Sequence, residues 1–342
     1  MAWDLFHPQR DTKNVGGSNE MSKHCFLVTG AQGCIGSWVI KNLLELGHDV
    51  IAFDIDDQPV RLSLLLTTEQ LKKINFVRGD INDLGLIKEL IHKRSVSHVI
   101  HLAGLMTPAC KARPALGATV NILGTLTILE AAKAFKDQVR CVVYASSGAV
   151  MGPDEQYESH PIRDGAPRTP ATLYGVFKTA NEDCARIYWQ DDGIRSVALR
   201  PPVVYGPGRD GGLTAGVTLA IKAALLNQEY EIGFSGPANM QFTNDVGKSF
   251  VLCALKEPEG APAFNMLGEV LEVEEMIHLI EELFPSAKNR ITSVQMRNAM
   301  ANLVDDSGLQ ALIGPIHRTP FREGAKLTAD FFRRLLKGGR LK

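Results

Sequence analysis

The stretch Cys25-Phe26-Leu27-Val28-Thr29-Gly30-Ala31-Gln32-Gly33-Cys34-Ile35-Gly36 sets the reading of the whole chain. Five residues ending in Thr29 form a short apolar strand. Three glycines follow at intervals of three, and helical periodicity then runs from Ile35 to Leu46 before Gly47. A strand that enters a helix through such a loop allows a tight turn, close approach of a pyrophosphate to the backbone, and close helix–strand packing. Free N–H groups at the helix start face the phosphates. An ordinary glycine turn is the plainer alternative, but it needs neither the strand before nor the helix after.

Outward from this loop the chain alternates. Strands are expected at Asp49–Asp54, Asn75–Gly79, His98–Leu102, Val139–Ser146 and Ser196–Leu199, and helices at Leu84–Lys93, Pro114–Phe135 and Leu173–Gln190. Continuous apolar strands are those covered on both faces. This order predicts an α/β fold, a doubly wound parallel sheet with right-handed crossovers. Past Arg200 the pattern loosens around Pro201-Pro202, Gly206-Pro207-Gly208 and Gly211-Gly212, with helices expected at Leu213–Asn227, Val273–Leu283 and Leu327–Leu336. The division expected is an N-terminal extension over 1–23, a dinucleotide-binding domain over 24–200, and a smaller substrate-binding lobe over 201–342 with segments returning to the sheet.

Bulk properties remove several classes of function. The 342 residues are 45% hydrophobic and 22% charged, with a formal net charge of -1. No global field draws nucleic acid or an anionic membrane. No apolar run approaches the ~20 residues of a membrane span, and the N-terminus lacks the apolar core of a secretory signal. The six cysteines show no Cys-x-x-Cys spacing. They read as buried thiols of a reducing, cytoplasmic compartment. His98 and His101 lack a third ligand, so no metal site is expected.

Chemistry-bearing residues fall at the carboxyl ends of the strands, where open parallel sheets bind ligands. Eighteen residues past Gly36 stands Asp54, able to accept both ribose hydroxyls and to repel a 2′-phosphate. NAD is therefore expected rather than NADP. Asp80 and Ile81 are candidates to flank an adenine, or simply a strand-end turn. Leu102, Ala103 and Gly104 are small enough for a cofactor to cross the strand end. Ser147 ends the fifth strand and is the candidate to polarise a substrate oxygen, with Ser146 as alternative because strand alternation turns one inward. Tyr174 and Lys178 share a helix face one turn apart. A tyrosine has a pKa of about 10, and bringing it near 7 takes roughly 4 kcal/mol of differential stabilisation. A neighbouring ammonium and a cationic nicotinamide ring would supply it.

The set Thr29-Gly30-x-x-Gly33-x-x-Gly36, Asp54, His101-Leu102-Ala103-Gly104, Ser146-Ser147, Tyr174-x-x-x-Lys178 and Arg200-Pro201-Pro202-x-Val204-Tyr205-Gly206-Pro207-Gly208 resembles the extended short-chain dehydrogenase/reductase superfamily. That is the NAD-dependent epimerase/dehydratase group, built on a Rossmann fold. The resemblance implies Tyr174 as acid/base, Lys178 holding the nicotinamide ribose, Ser147 on the reacting oxygen, and backbone around Pro201 to Val203 on the nicotinamide amide. Cys34 and Ile35 belong to the cofactor loop. Asn121 matches an asparagine of the family, whose role there is bracing the long helix or lining the cofactor site. Homodimerisation is implied through helices near 115–135 and 171–190.

The sequence also departs from that family. Its nucleotide-sugar enzymes carry asparagine where Val203 stands, and an arginine before the late Asp245-Val246 element that is missing here. A diphosphate without cationic partners binds poorly. The expected substrate is accordingly a small free sugar, sugar acid or related hydroxylated metabolite, and the expected enzyme an NAD-dependent dehydrogenase. An NAD-dependent sugar epimerase with a transient ketone is the alternative, and a non-catalytic dinucleotide-binding protein the third reading. Thr107, Gly148, Arg209 and Gln241 are candidate substrate contacts, with Asp210 and Thr214 nearby. An ordinary surface arginine is the plain reading of Arg209.

Overall fold

The fold is taken from a computed structural model, which describes residues 23–297 and 300–340. The extension expected at 1–23 lies, apart from Lys23, outside the described residues.

In chain order the first half runs β1 Cys25–Thr29, α1 Cys34–Glu45, β2 Asp49–Asp54, α2 Val60–Leu65, α3 Thr68–Leu71, β3 Ile74–Arg78, α4 Leu84–Lys93, β4 His98–His101, α5 Thr107–Ala112, α6 Pro114–Ala118, α7 Gly124–Ala134, β5 Cys141–Ala145, α8 Leu173–Asp192 and β6 Ser196–Arg200. The second half adds β7 Val203–Tyr205, α9 Gly216–Leu225, β8 Tyr230–Ile232, β9 Pro237–Phe242, α10 Thr243–Lys256, β10 Ala263–Asn265, β11 Glu269–Glu272, α11 Val273–Leu283, β12 Ile291–Ser293, α12 Ser307–Ile313 and α13 Phe321–Lys337.

Seven strands form one sheet in the order β10-β6-β5-β4-β1-β2-β3, and every neighbouring pair is parallel. The central strands carry apolar side chains on both faces: Phe26, Leu27, Val28, Val99, Ile100, Val142 and Val143 are all buried. One face packs on α1 and α10, the other on α4, α7 and α8. Strand order reverses between β1 and β4, which opens the crevice where open α/β sheets take ligands.

The second half is not a detached unit. β10 joins the edge of the main sheet beside β6, and α10 lies against α1. The rest forms a lobe with its own apolar core, around a three-stranded sheet ordered β11-β9-β7 and a β8–β12 pair. The Trp38 indole of α1 donates to the Pro207 carbonyl at 2.8 Å, tying the lobe's first loop to the helix after the glycine turn.

The helical run expected at Pro114–Phe135 is continuous but contains a π-helical turn at Thr119–Leu123. Buried Asn121 sits in that turn. Its side-chain amide donates to the carbonyls of Gly117 and Leu105 at 3.0 and 3.1 Å, and its backbone carbonyl receives Thr125 Oγ1 and Asn181 Nδ2. Single π-helical turns of this kind occur often at functional sites. Pro114–Ala134 is also 21 residues long with a mean hydropathy of 1.4, so this one helix has the length and apolarity of a membrane span. Those properties arise because one side serves the core through Ile128, Leu129 and Ala132, while Leu116 and Leu123 face outward. Of the other expected helices, Val273–Leu283 is α11, Leu213–Asn227 becomes a 3-10 turn followed by α9, and α13 starts six residues before Leu327, directly after Pro320.

Candidate active site

The crevice at the strand ends is a cleft of about 430 Å³. Gly30, Gly33, Cys34, Ile35 and Gly36 form one wall, Leu102, Gly104 and Thr107 another, and Ser147, Tyr174 and Lys178 the inner end. Pro201, Pro202, Val204, Arg209 and Thr214 close it from the lobe.

The glycine wall is as narrow as its spacing suggests. Gly30 has φ +67°, and a Cβ there would lie 2.5 Å from the Ala103 nitrogen and the Leu102 carbonyl carbon. A Cβ on Gly36 would lie 2.3 Å from the Gly30 carbonyl oxygen. Any side chain at either position closes the loop. At the end of β2, Asp54 accepts the Gln32 N–H at 2.8 Å through one oxygen and the Asp56 N–H at 3.1 Å through the other. Its carboxylate therefore stands against the glycine loop. Arg61, the first basic residue beyond it, donates to the Gln32 carbonyl at 2.8 Å and pairs with Asp210 at 2.6 Å, so it is not free to receive a 2′-phosphate. Together the cradle and Asp54, which anchors the glycine loop without itself lining the cleft, fit a dinucleotide with an unmodified ribose.

At the inner end, Ser146 and Ser147 part ways. Ser146 is buried and its hydroxyl donates to Glu182 at 2.5 Å. Ser147 accepts the Ala149 N–H at 3.1 Å, and it lines the cleft together with Tyr174. Burial pushes the Tyr174 phenol above its ordinary value, while the nearby Ser147 hydroxyl and then the Arg209 charge oppose that push in part. Lys178 Nζ sits 5.7 Å from the Tyr174 ring centre and donates to the Ala145 carbonyl at 2.6 Å. Burial lowers its pKa to about 8. Sequence reasoning made Lys178 the group that acidifies Tyr174. In the structure Ser147 and Arg209 are the groups that lower the phenol, against a larger upward push from burial, and the Lys178 ammonium lies over the Tyr174 ring.

Local sequence explains this placement. Thr172 caps α8 by accepting the Gly175 N–H at 3.1 Å. Gly175 presses directly on the turn after β5, and a Cβ there would lie 2.2 Å from the Ala149 oxygen. That contact brings Tyr174 level with Ser147.

Other expected contacts are placed differently. Gln241 is 3% exposed within β9 and does not line the cleft. Val203 packs into the lobe core, and strand alternation gives its cleft position to Val204. Gly148 bonds through its N–H to the Pro201 carbonyl at 3.0 Å, behind the lining residues Ser147 and Ala149. Asp80 is exposed and caps its own turn at Asn82, whereas Ile81 lies in the core against Gly124; neither lines this cleft. Asn121 acts as the brace described above, and its Oδ1 has no hydrogen-bond partner. A Cβ on Gly104 would meet that oxygen at 2.7 Å and Lys178 Nζ at 3.6 Å, so the absence of a side chain at Gly104 keeps this corner open. Ala103 lies one residue inward, packed on the core. Sequence reasoning missed Met106, Met151 and Met300, which give the cleft apolar walls. Among the described residues no group of histidine, cysteine and acidic side chains has the arrangement of a metal site. The six cysteines are unpaired.

A parallel sheet with a glycine cradle at its switch point and a serine, tyrosine and lysine at the strand ends defines a dinucleotide-dependent enzyme. The chain belongs to the NAD dependent epimerase/dehydratase family, whose model matches residues 26–266. UDP-glucose 4-epimerase of Mycolicibacterium smegmatis is 29% identical over 90% of this chain and 98% of its own length. UDP-glucose 4-epimerase of Thermotoga maritima, solved with UDP-glucose, superposes with TM-score 0.79 and 25% identity over 91% of this chain and 99% of that one. MoeE5 in complex with UDP-glucuronic acid and NAD gives TM-score 0.76 and 27% identity, with 90% and 99% covered. The expectation of an NAD-dependent enzyme holds. The narrower expectation of a dehydrogenase for a substrate free of any nucleotide is not matched by these relatives, which fit the alternative of an NAD-dependent sugar epimerase better, and with the nucleotide-linked sugar that the sequence had argued against.

Proposed function

We propose that the protein is an NAD-dependent epimerase acting at C4 of a nucleotide-linked hexose. The observation that carries this reading is the gathering of Ser147, Tyr174 and Lys178 at the inner end of a glycine-walled cleft, in a chain similar over nearly its whole length to UDP-glucose 4-epimerases.

Ser147, its oxygen fixed by the Ala149 N–H, holds the C4 hydroxyl of the sugar against Tyr174. Tyr174 takes the hydroxyl proton, and the same phenol returns it once the sugar presents its other face. The Gly30–Gly36 loop and Asp54 would hold NAD, which would supply reversible hydride transfer at C4. Lys178, held by the Ala145 carbonyl, keeps a buried cation beside the phenol. The methionine walls exclude water and leave the ketone room to turn.

One observation favours a second reading, a dehydrogenase of free sugar acids. Val203 is packed into the lobe core and offers nothing polar to a diphosphate. Incubation of the full chain with NAD and UDP-glucose or UDP-glucuronate, followed by NMR of the anomeric protons and by NADH absorbance, separates the two. The proposal predicts the 4-epimer without net NADH. No epimer from either sugar, with NADH accumulating on a free sugar acid, would sink it. We also propose a homodimer through the helix Pro114–Ala134 and α8, which leave Leu116, Leu123, Leu173, Val176 and Ile187 exposed.

A further inference from the structure

Three cations line the cleft: Arg61, Lys178 and Arg209. Two of them are committed to the protein. Arg61 grips Asp210, the one acid of the lining, with Nη2 at 2.6 Å and Nε at 3.1 Å from its carboxylate. Lys178 is spent on the Ala145 carbonyl. Arg209 differs. Its Nη2 donates to the Thr214 hydroxyl at 2.9 Å, and Nη1 reaches only the Met106 sulfur at 3.6 Å. Its Nε is buried without a hydrogen-bond partner, and no ion pair forms between Arg209 and any described residue. Gly212, with φ +91°, clears the space, since a Cβ there would crowd Arg209 Nη2 at 3.3 Å.

A half-buried guanidinium that keeps an unused donor edge and no counterion is costly unless a ligand completes it. That edge matches the two oxygens of a carboxylate. Arg209 lines the same cleft as Ser147 and Tyr174, and its charge reaches both the Tyr174 phenol and the Cys34 thiol of the glycine loop, so the anion it meets lies inside the cleft that holds the reacting carbon.

We propose that Arg209 binds a carboxylate carried by the reacting sugar, which makes the preferred substrate a hexuronate rather than a neutral hexose. This rests on the epimerase reading for the identity of the reacting carbon. Arg209 is then the residue that sets specificity at the sugar end of the cleft, and Thr214 orients it.

Calorimetric titration of the NAD-loaded full chain tests this with UDP-glucuronate, UDP-glucose, UDP and free glucuronate. The wild type should prefer UDP-glucuronate over UDP-glucose by roughly tenfold or more, as charge-assisted bonds of this kind imply. Arg209→Gln should erase that ratio, and Arg209→Lys should keep only part of it. Thermal midpoints of both variants monitor folding, and the lysine variant decides if the glutamine variant does not fold. Equal affinity of the wild type for the two UDP-sugars overturns the proposal. So does Arg209→Gln weakening UDP as much as UDP-glucuronate, which would assign Arg209 to the diphosphate, or failure of both uronates to bind. Arg209-dependent binding of free glucuronate, without binding of UDP or either UDP-sugar, would remove the nucleotide reading and leave the carboxylate site standing.

Discussion

His101 shows how strongly this site constrains single residues. It ends β4 at 2% exposure, with Nδ1 2.7 Å from Thr29 Oγ1 and Nε2 3.2 Å from Thr125 Oγ1. Burial, and then the Lys178 charge, lower its pKa from 6.5 to about 3. As pH falls below 6.5 the unfolded chain takes up a proton that the folded chain refuses until about pH 3. Stability contributed by neutral His101 is therefore full above 6.5 and is lost progressively as pH falls towards 3. The thermal midpoint should drop between pH 6.5 and 4, and His101→Asn should flatten part of that drop. His98, lowered to about 4 by burial, accounts for another part. An unchanged slope in the variant would contradict the assignment. Other residues were legible to differing degrees. Tyr174, Lys178 and Ser147 could be read because helix spacing and a strand end fix their faces. Val203, Val204 and Gln241 could not, because phase within the short strands β7 and β9 is set by the lobe core. Thr214 orients Arg209 from five residues away, but its second contact, Met106, is 103 residues distant in the chain, which no local pattern reveals.

At the scale of elements, α8 decides whether the site exists. Its start is fixed by the Thr172 cap and by the contact of Gly175 with the Ala149 carbonyl. Further along, Glu182 anchors it to two strands at once. Glu182 receives Ser146, the residue after β5, and, through both oxygens, Arg200 of β6 at 2.9 and 2.8 Å, with Arg168 adding a third cationic contact. Both members of the Glu182–Arg200 pair are about 4% exposed. Removing one partner of such a pair typically costs about 3–5 kcal/mol, because the other is left buried and charged. The network thus holds the helix bearing Tyr174 and Lys178 in one rotation against the strand end bearing Ser147. Elements of the main sheet were readable because buried parallel strands are continuously apolar and their helices are amphipathic. The lobe strands β7, β8 and β12 have three residues each. Their pairing comes from packing between distant segments, which the sequence does not display.

For the whole molecule, the surface of the two long helices carries a consequence. Leu116 and Leu123 on the helix Pro114–Ala134, and Leu173, Val176 and Ile187 on α8, are between 38% and 51% exposed. Five large apolar side chains on two neighbouring helices favour burial against a second copy. Light scattering should give twice the chain mass for the wild type and the single mass for Val176→Glu combined with Ile187→Glu, with folding intact by circular dichroism. A monomeric wild type would remove the dimer. In the proposed reaction Tyr174, beside Ser147 in the cleft, moves the proton. Turnover and NAD affinity of Tyr174→Phe test this most directly. A loss of roughly 100-fold or more in turnover is expected, with NAD bound as tightly as before; wild-type turnover in Tyr174→Phe would contradict it.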